Sequence, residues 1–113
     1  MYSSTFIFEK KQYDAEFERL DPLIAAAARA HPDFAGEEHW ENPHNGRLCV
    51  VYYWHSLAGL HALMRDPQHV EAKRQYQRWY KGFQIVIAEV VRAYGDGHFA
   101  DHPVAAFRAA EPA

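Results

Sequence analysis

The run Leu48-Cys49-Val50-Val51-Tyr52-Tyr53-Trp54 decides the fold. It is almost unbroken in apolar character and rich in β-branched and aromatic residues, so it reads as a buried strand. Successive side chains on a strand point to opposite faces. Leu48, Val50, Tyr52 and Trp54 therefore share one face, and Cys49, Val51 and Tyr53 the other. Both faces are apolar. Just upstream, Asn42-Pro43-His44-Asn45-Gly46 is a turn, with Asn45-Gly46 its strongest signal. Before that turn, Phe34 to Glu41 is strand-like but heavily polar, with Trp40 its one large apolar group, which suits an edge strand. Residues 34–54 thus read as a hairpin.

Outward from the hairpin, Thr5-Phe6-Ile7-Phe8 predicts a first strand, and Asp14 can cap a helix carrying Phe17, Leu20, Ile24 and Ala27/Ala28 on one face. Asp21-Pro22 interrupts that pattern, so the helix is expected to kink or restart there, and His31-Pro32 ends it. After the hairpin, Ser56 is an N-cap for Leu57–Met64, where Leu57, Leu60, His61 and Met64 are expected to share a face. Asp66-Pro67 opens a second helix of roughly four turns, expected to end near Gly82. Phe83 to Tyr94 is the last predicted strand, and Asp96-Gly97 closes the domain. Residues 1–97 make one domain. Residues 98–113, rich in Ala, Pro and His, read as a tail that is flexible or packed on a partner subunit.

The order β-α-β-β-α-β predicts an α+β, ferredoxin-like antiparallel sheet with both helical regions on one face. Such a sheet should alternate apolar and polar residues. These strands do not. Phe6 and Phe8 oppose Ile7, and Ile85 and Ile87 oppose Val86, Ala88 and Val90. The helices can cover one face only, and a copy of the same sheet is the simplest cover for the other. Burying about 600 Å² of apolar surface per subunit is worth on the order of 15 kcal/mol before association costs. A homodimer closed as an α+β barrel is expected.

Composition narrows the function. The net charge is −3, with no basic excess to attract nucleic acid or an anionic membrane surface. Lys73, Arg74, Arg78 and Lys81 read as the wet side of a helix. The single cysteine, Cys49, excludes a disulfide framework. No apolar run approaches the length of a membrane span and no leader is evident, so the expected location is cytoplasmic. Aromatics reach 15%, more than one thin core readily absorbs, and the surplus points to a pocket or an interface. The eight histidines show no spacing that brings three ligands together with a carboxylate, so no metal site is expected.

The stretches Tyr53-Trp54-His55-Ser56, Asp66-Pro67-Gln68-His69 with Ala72, and Ala88-Glu89-Val90-Val91-Arg92-Ala93-Tyr94-Gly95 resemble the antibiotic biosynthesis monooxygenase superfamily. The likeness is strongest to small bacterial proteins of its haem-degrading-monooxygenase-like branch. It covers about residues 5–95, and order and spacing carry it rather than any one motif. The resemblance implies a dimeric α+β barrel with a pocket between helices and sheet in each subunit. It implies no single reaction: members include oxygenases that form quinones without metal or flavin, haem-cleaving enzymes, and proteins with no assigned activity.

Haem-cleaving members carry a tryptophan on the short helix, a ligand histidine on the next helix and an asparagine on the first strand. Here those positions fall at Leu63, near Lys73, and on Thr5–Phe8, which has no asparagine. His69, one turn earlier, is the remaining imidazole for iron, which makes haem binding or degradation the less favoured branch. Cofactor-free oxygenation asks only that an electron-rich phenol be bound, deprotonated and shielded from water. His69, Lys73, Tyr76 and Tyr80 are spaced to share one helix face. The candidate bases are His69 and His61, and the candidate pocket walls are Trp54, Tyr76, Tyr80, Phe6 and Phe8. The expected activity is a cofactor-independent monooxygenase acting on a small aromatic or quinol. The alternative is a non-catalytic small-ligand-binding or accessory protein on the same scaffold.

Overall fold

The structure is a computed structural model in which residues 1–105 are described. Strand β1 (Tyr2–Lys10) leads into helix α1 (Ala15–Ala30), then β2 (Phe34–Asn42) and β3 (Arg47–Trp54). Helices α2 (Leu57–Met64) and α3 (Pro67–Gln75) follow, then a single 3₁₀ turn (Tyr76–Arg78) and β4 (Tyr80–Glu89). The sheet order is β2-β3-β1-β4, and every pairing is antiparallel. This is the expected α+β, ferredoxin-like arrangement, with the polar β2 on an edge.

The helix starts follow from local chemistry. Asp14 accepts from the Phe17 amide, Ser56 from Ala58, and Asp66 from Gln68 and His69, with Pro67 in the first turn of α3. Each cap satisfies donors that a helix terminus leaves orphaned. Gly46 closes the hairpin with φ +71°, where its amide donates to the Asn42 carbonyl at 2.8 Å.

Three boundaries differ from the expectation. Helix α1 runs through Pro22 without a break, and the proline ring sits on its exposed side. Helix α3 stops at Gln75 rather than near Gly82 because the chain tightens into the 3₁₀ turn, where the Trp79 amide donates to the Tyr76 carbonyl. That turn delivers Trp79 to the core at 1% exposure, and it starts β4 at Tyr80 instead of Phe83. Strand β4 ends at Glu89, not Tyr94, because its only neighbour begins at Tyr2, the partner of Glu89. A strand cannot outrun its ladder.

Register places Tyr2, Ser4, Phe6, Phe8, Leu48, Val50, Tyr52, Trp54, Phe83, Ile85 and Ile87 on one face. This is the face the helices cover. Its core forms two clusters. One holds Ala28, Trp54, Leu60 and Leu63, and the other holds Phe17, Leu20 and Trp79, with Ile24 packed against both. The helix-free face carries Thr5, Ile7, Cys49, Val51, Tyr53, Val86, Ala88 and, on β2, Trp40. Residues 98–105 reach one corner of it, where the His102 Nε2 meets the Glu38 carboxylate and Pro103 lies over Gly36. Residues 106–113 of the expected tail lie outside the described residues.

Candidate functional site

The helix-facing side of the sheet is closed at one end and open at the other. At the closed end Trp54 is completely buried, and its indole nitrogen donates to the Ser4 hydroxyl at 3.1 Å. A small cavity of about 180 Å³ beside it is walled by Ala27, Ala28, Ala62 and Leu63 with His31 and Asp66. That is below the size that takes a fused-ring ligand. At the other end Phe83, Ile85 and Ile87 point to the helical side yet keep 43%, 45% and 48% of their surface exposed. The helical layer does not close over β4, and an open apolar surface, the candidate cleft, is left there.

Aromatic rings build the walls of this cleft. Phe6 and Phe8 meet edge to face at 4.8 Å, Tyr80 lies 4.9 Å from Phe8 and 5.4 Å from Phe6, and Tyr76 caps Phe83 at 5.0 Å. Behind Tyr80, Tyr13 stacks on Phe17 at 3.7 Å, and Phe17 abuts Trp79. Asp14 locks this wall by accepting from the Trp79 indole at 2.8 Å while pairing with Arg78 at 2.7 Å. The hydrogen bond from the Phe17 amide chiefly holds the Asp14 carboxyl below its usual range, helped by Trp79 and Arg78.

The inward side of α3 carries His69 and Ala72, with Ala72 packed against the Phe17–Leu20–Trp79 cluster, and Tyr76 follows in the 3₁₀ turn. The His69 Nδ1 is buried and has no hydrogen-bond partner, the only such side-chain atom among the described residues. Burial, reinforced by Lys73, depresses the His69 pKa against the opposing pull of Asp66. Burial thus favours the uncharged imidazole.

The expected site residues therefore divide. Phe6, Phe8, Tyr76 and Tyr80 converge on the cleft, although Tyr80 does so from β4 and not from a helix face shared with His69. His69 is buried at its Nδ1 on α3, with no contact to these rings among the described residues. Trp54 belongs to the closed end, fully packed in the other cluster. His61 is exposed, because α2 turns Gly59, Leu60 and Leu63 inward rather than the face bearing His61 and Met64. Tyr13 joins the wall without a sequence signal, since nothing local marks a tyrosine before a cap as stacked on Phe17 of the helix that follows.

Two of the positions that serve haem in the resembled branch are placed by the structure. Leu63 is buried in the Trp54 cluster, and the Lys73 side of α3 is exposed. Among the described residues no three His, Cys, Asp or Glu side chains gather closely enough to hold a metal ion. No helix among them is long and apolar enough to cross a membrane.

An antiparallel α+β sheet with a pocket on its helical side defines the ferredoxin-like class to which oxygenases of antibiotic biosynthesis belong, and solved structures bear the likeness out. SnoaB, a cofactor-independent oxygenase from Streptomyces nogalater, superposes with a TM-score of 0.63 at 12% identity, over 81% of this chain and 94% of that one. A proposed antibiotic biosynthesis monooxygenase from Deinococcus radiodurans gives 0.65 at 19% identity, over 84% and 97%. One from Nitrosomonas europaea gives 0.62 at 11%, over 81% and 100%. At these identities the likeness establishes the fold. No protein-family profile matches the chain, and no curated protein matches it.

Proposed function

We propose that the chain is a cofactor-independent monooxygenase that oxidises a small flat phenol, quinol or anthrone in the cleft between its helices and β4. The aromatic wall of Phe6, Phe8, Tyr76 and Tyr80 beside the open Phe83, Ile85 and Ile87 carries this reading, with His69 of α3 the candidate base. The imidazole takes a proton from the substrate, and the resulting anion is rich enough in electrons to reduce dioxygen directly. For an anthrone the balance is R₂CH₂ + O₂ → R₂C=O + H₂O: one oxygen atom enters the ring carbon and the other leaves as water. Phe6, Phe8, Tyr76 and Phe83 hold the ring and keep bulk water from the anion.

A homodimer belongs to the same reading. Trp40 and Val86 are strongly exposed on the helix-free face, beside Ile7, Cys49 and Val51. A second copy applied to that face covers an apolar patch the chain itself leaves open. The mass in solution at micromolar concentration should be twice 13.1 kDa, and a monomer there would refute the pairing. The expectation of a cytoplasmic location stands with this proposal.

One observation favours a binding protein without chemistry. Asp66, the carboxylate whose charge acts on His69, already accepts the Gln68 and His69 amides with Oδ1, and the His69 Nδ1 has no partner, so no carboxylate orients the imidazole through that atom as in catalytic triads. Oxygen uptake with a panel of hydroquinones and anthrones separates the two. Uptake that falls at least about tenfold in His69→Ala and is kept in His61→Ala supports the oxygenase. Equal uptake in wild type and His69→Ala sinks the base. Saturable binding with no uptake leaves the binding protein.

A further inference from the structure

A second cavity, of about 310 Å³, lies where the end of β1 meets the starts of β3 and β4. Ile7, Phe8 and Phe83 give it apolar wall, and Arg47, Lys81 and Glu9 give it charge. Register puts Ile7, Glu9 and Gly82 on the helix-free face, so this space is distinct from the candidate cleft. Three features of its lining have no structural use elsewhere. Glu9 pairs with Gly82 and Lys10 with Tyr80, which leaves Lys81 as the extra residue of a bulge. A bulge re-aims one side chain out of the ladder, and the Lys81 ammonium has no hydrogen bond or ion pair among the described residues. Gly82 does not have a positive φ, and a β-carbon on it would meet nothing within 4 Å. Neither backbone nor packing asks for glycine there, although it weakens the strand, and its effect is to leave the cavity wall bare for close approach. Arg47 touches Glu9 through Nε alone, at 3.4 Å. Arg29, by contrast, grips Glu37 with two bonds of 2.8 and 2.7 Å. The terminal nitrogens of Arg47 are thus uncommitted among the described residues.

We infer that this cavity is a second binding site, and that it takes a small organic carboxylate with an apolar body. Two cations against the single Glu9 carboxylate leave one positive charge over, which one carboxylate matches. The Arg47 fork suits the two oxygens of that group, and Lys81 adds a point charge beside it. Arg47 keeps 57% of its side chain exposed and Glu9 39%, so water screens the charges and ion pairing alone holds little. The hydrocarbon against Ile7, Phe8 and Phe83 has to supply the rest, and an inorganic anion has none to offer.

The site does not rest on the oxygenase reading, since neither His69 nor any oxidation enters it. In the homodimer proposed above, the charges of Glu9, Arg47 and Lys81 end the apolar patch at one end of the sheet, as a polar rim ends an interface core.

The experiment titrates the full chain calorimetrically with 2-naphthoate and with its uncharged counterpart, 2-naphthamide. Wild type should bind naphthoate saturably, and naphthamide at least about fivefold more weakly. Lys81→Gln removes a charge without orphaning a partner, and should weaken naphthoate by about threefold or more. Arg47→Gln should weaken it further, because the fork is lost and Glu9 is left facing the ligand. Gly82→Val, whose side chain suits a strand, should weaken both ligands while urea unfolding shows no loss of stability. Arg74→Gln makes the same change in net charge on the exposed side of α3, and should leave affinity within about twofold. Absence of saturable binding to wild type overturns the site. Equal affinity for the amide, or a loss in Arg74→Gln as large as in Lys81→Gln, overturns the carboxylate.

Discussion

The two ends of the helix-facing sheet surface began with the same materials, aromatic residues on alternate strand positions, and reached opposite states. Around Trp54 the helices come down fully. Gly59 makes this approach: a β-carbon there would lie 2.7 Å from both the Asp33 β-carbon and the Trp54 ring. Around Phe83 the rings of Phe6 and Tyr76 pack against it rather than a helix, and the β4 side stays open. The closed end stabilises the fold, and the open end has surface left over for a ligand. A large aromatic residue is thus no sign of a site by itself. What matters is whether another element arrives to cover it.

Substitutions can break this contrast. The largest loss is expected for Trp54→Ala, which empties a fully buried site and leaves Ser4 without its donor. About 3–5 kcal/mol of stability should disappear in urea unfolding. Gly59→Ala should cost about 1–2 kcal/mol, because the clash with the Trp54 ring outweighs the better helix propensity of alanine. Were it to stabilise the protein, the close approach of α2 would not be what seals that end. Phe83→Ser, on the open floor, should change stability by less than about 1 kcal/mol while abolishing most saturable binding of 7-hydroxycoumarin. A large fall in stability with binding intact would make the cleft a core.

The smallest effect is expected at the β2 edge, where Arg29 of α1 grips Glu37 with two bonds of 2.8 and 2.7 Å. Those bonds, chiefly, hold the Glu37 carboxyl down to about 2 from an ordinary 4.5, against the opposing effect of burial. A depressed carboxyl contributes stability that is complete above its unfolded pKa and is lost as pH falls through the folded one. The contribution should fade between pH 4.5 and 2. Thermal midpoints of Glu37→Gln should therefore converge on those of wild type towards pH 2, and a constant gap across that window would show the ion pair contributes nothing.

Where the determinants were local, the fold was legible. Asp14, Ser56 and Asp66 announced three helix starts, because a side-chain acceptor beside the first free amides acts within a few residues. Asn45-Gly46 announced the hairpin, and the polar run from Gly36 to Glu41 announced an edge. The candidate site was half legible. Phe6, Phe8 and Tyr80 were named and do meet, and Tyr76 meets Phe83 beside them, while Trp54 was named as a wall and packs into the other cluster. Helical periodicity could not separate His61 from Leu63, since a short apolar helix offers more than one face to bury.

The run from Leu48 to Trp54 determined by itself that there is a central strand with two apolar faces, and with its neighbours it determined an antiparallel α+β sheet. Pattern and capping are short-range, and they are written in adjacent residues. Only the tertiary structure decided that α3 yields to a 3₁₀ turn so that Trp79 reaches the core, that β4 stops where β1 gives it no partner, and that the helices cover Trp54 but leave Phe83, Ile85 and Ile87 open. Each of those outcomes depends on where a distant element comes to rest. Coverage is a property of two surfaces meeting, and one stretch of sequence describes only one of them.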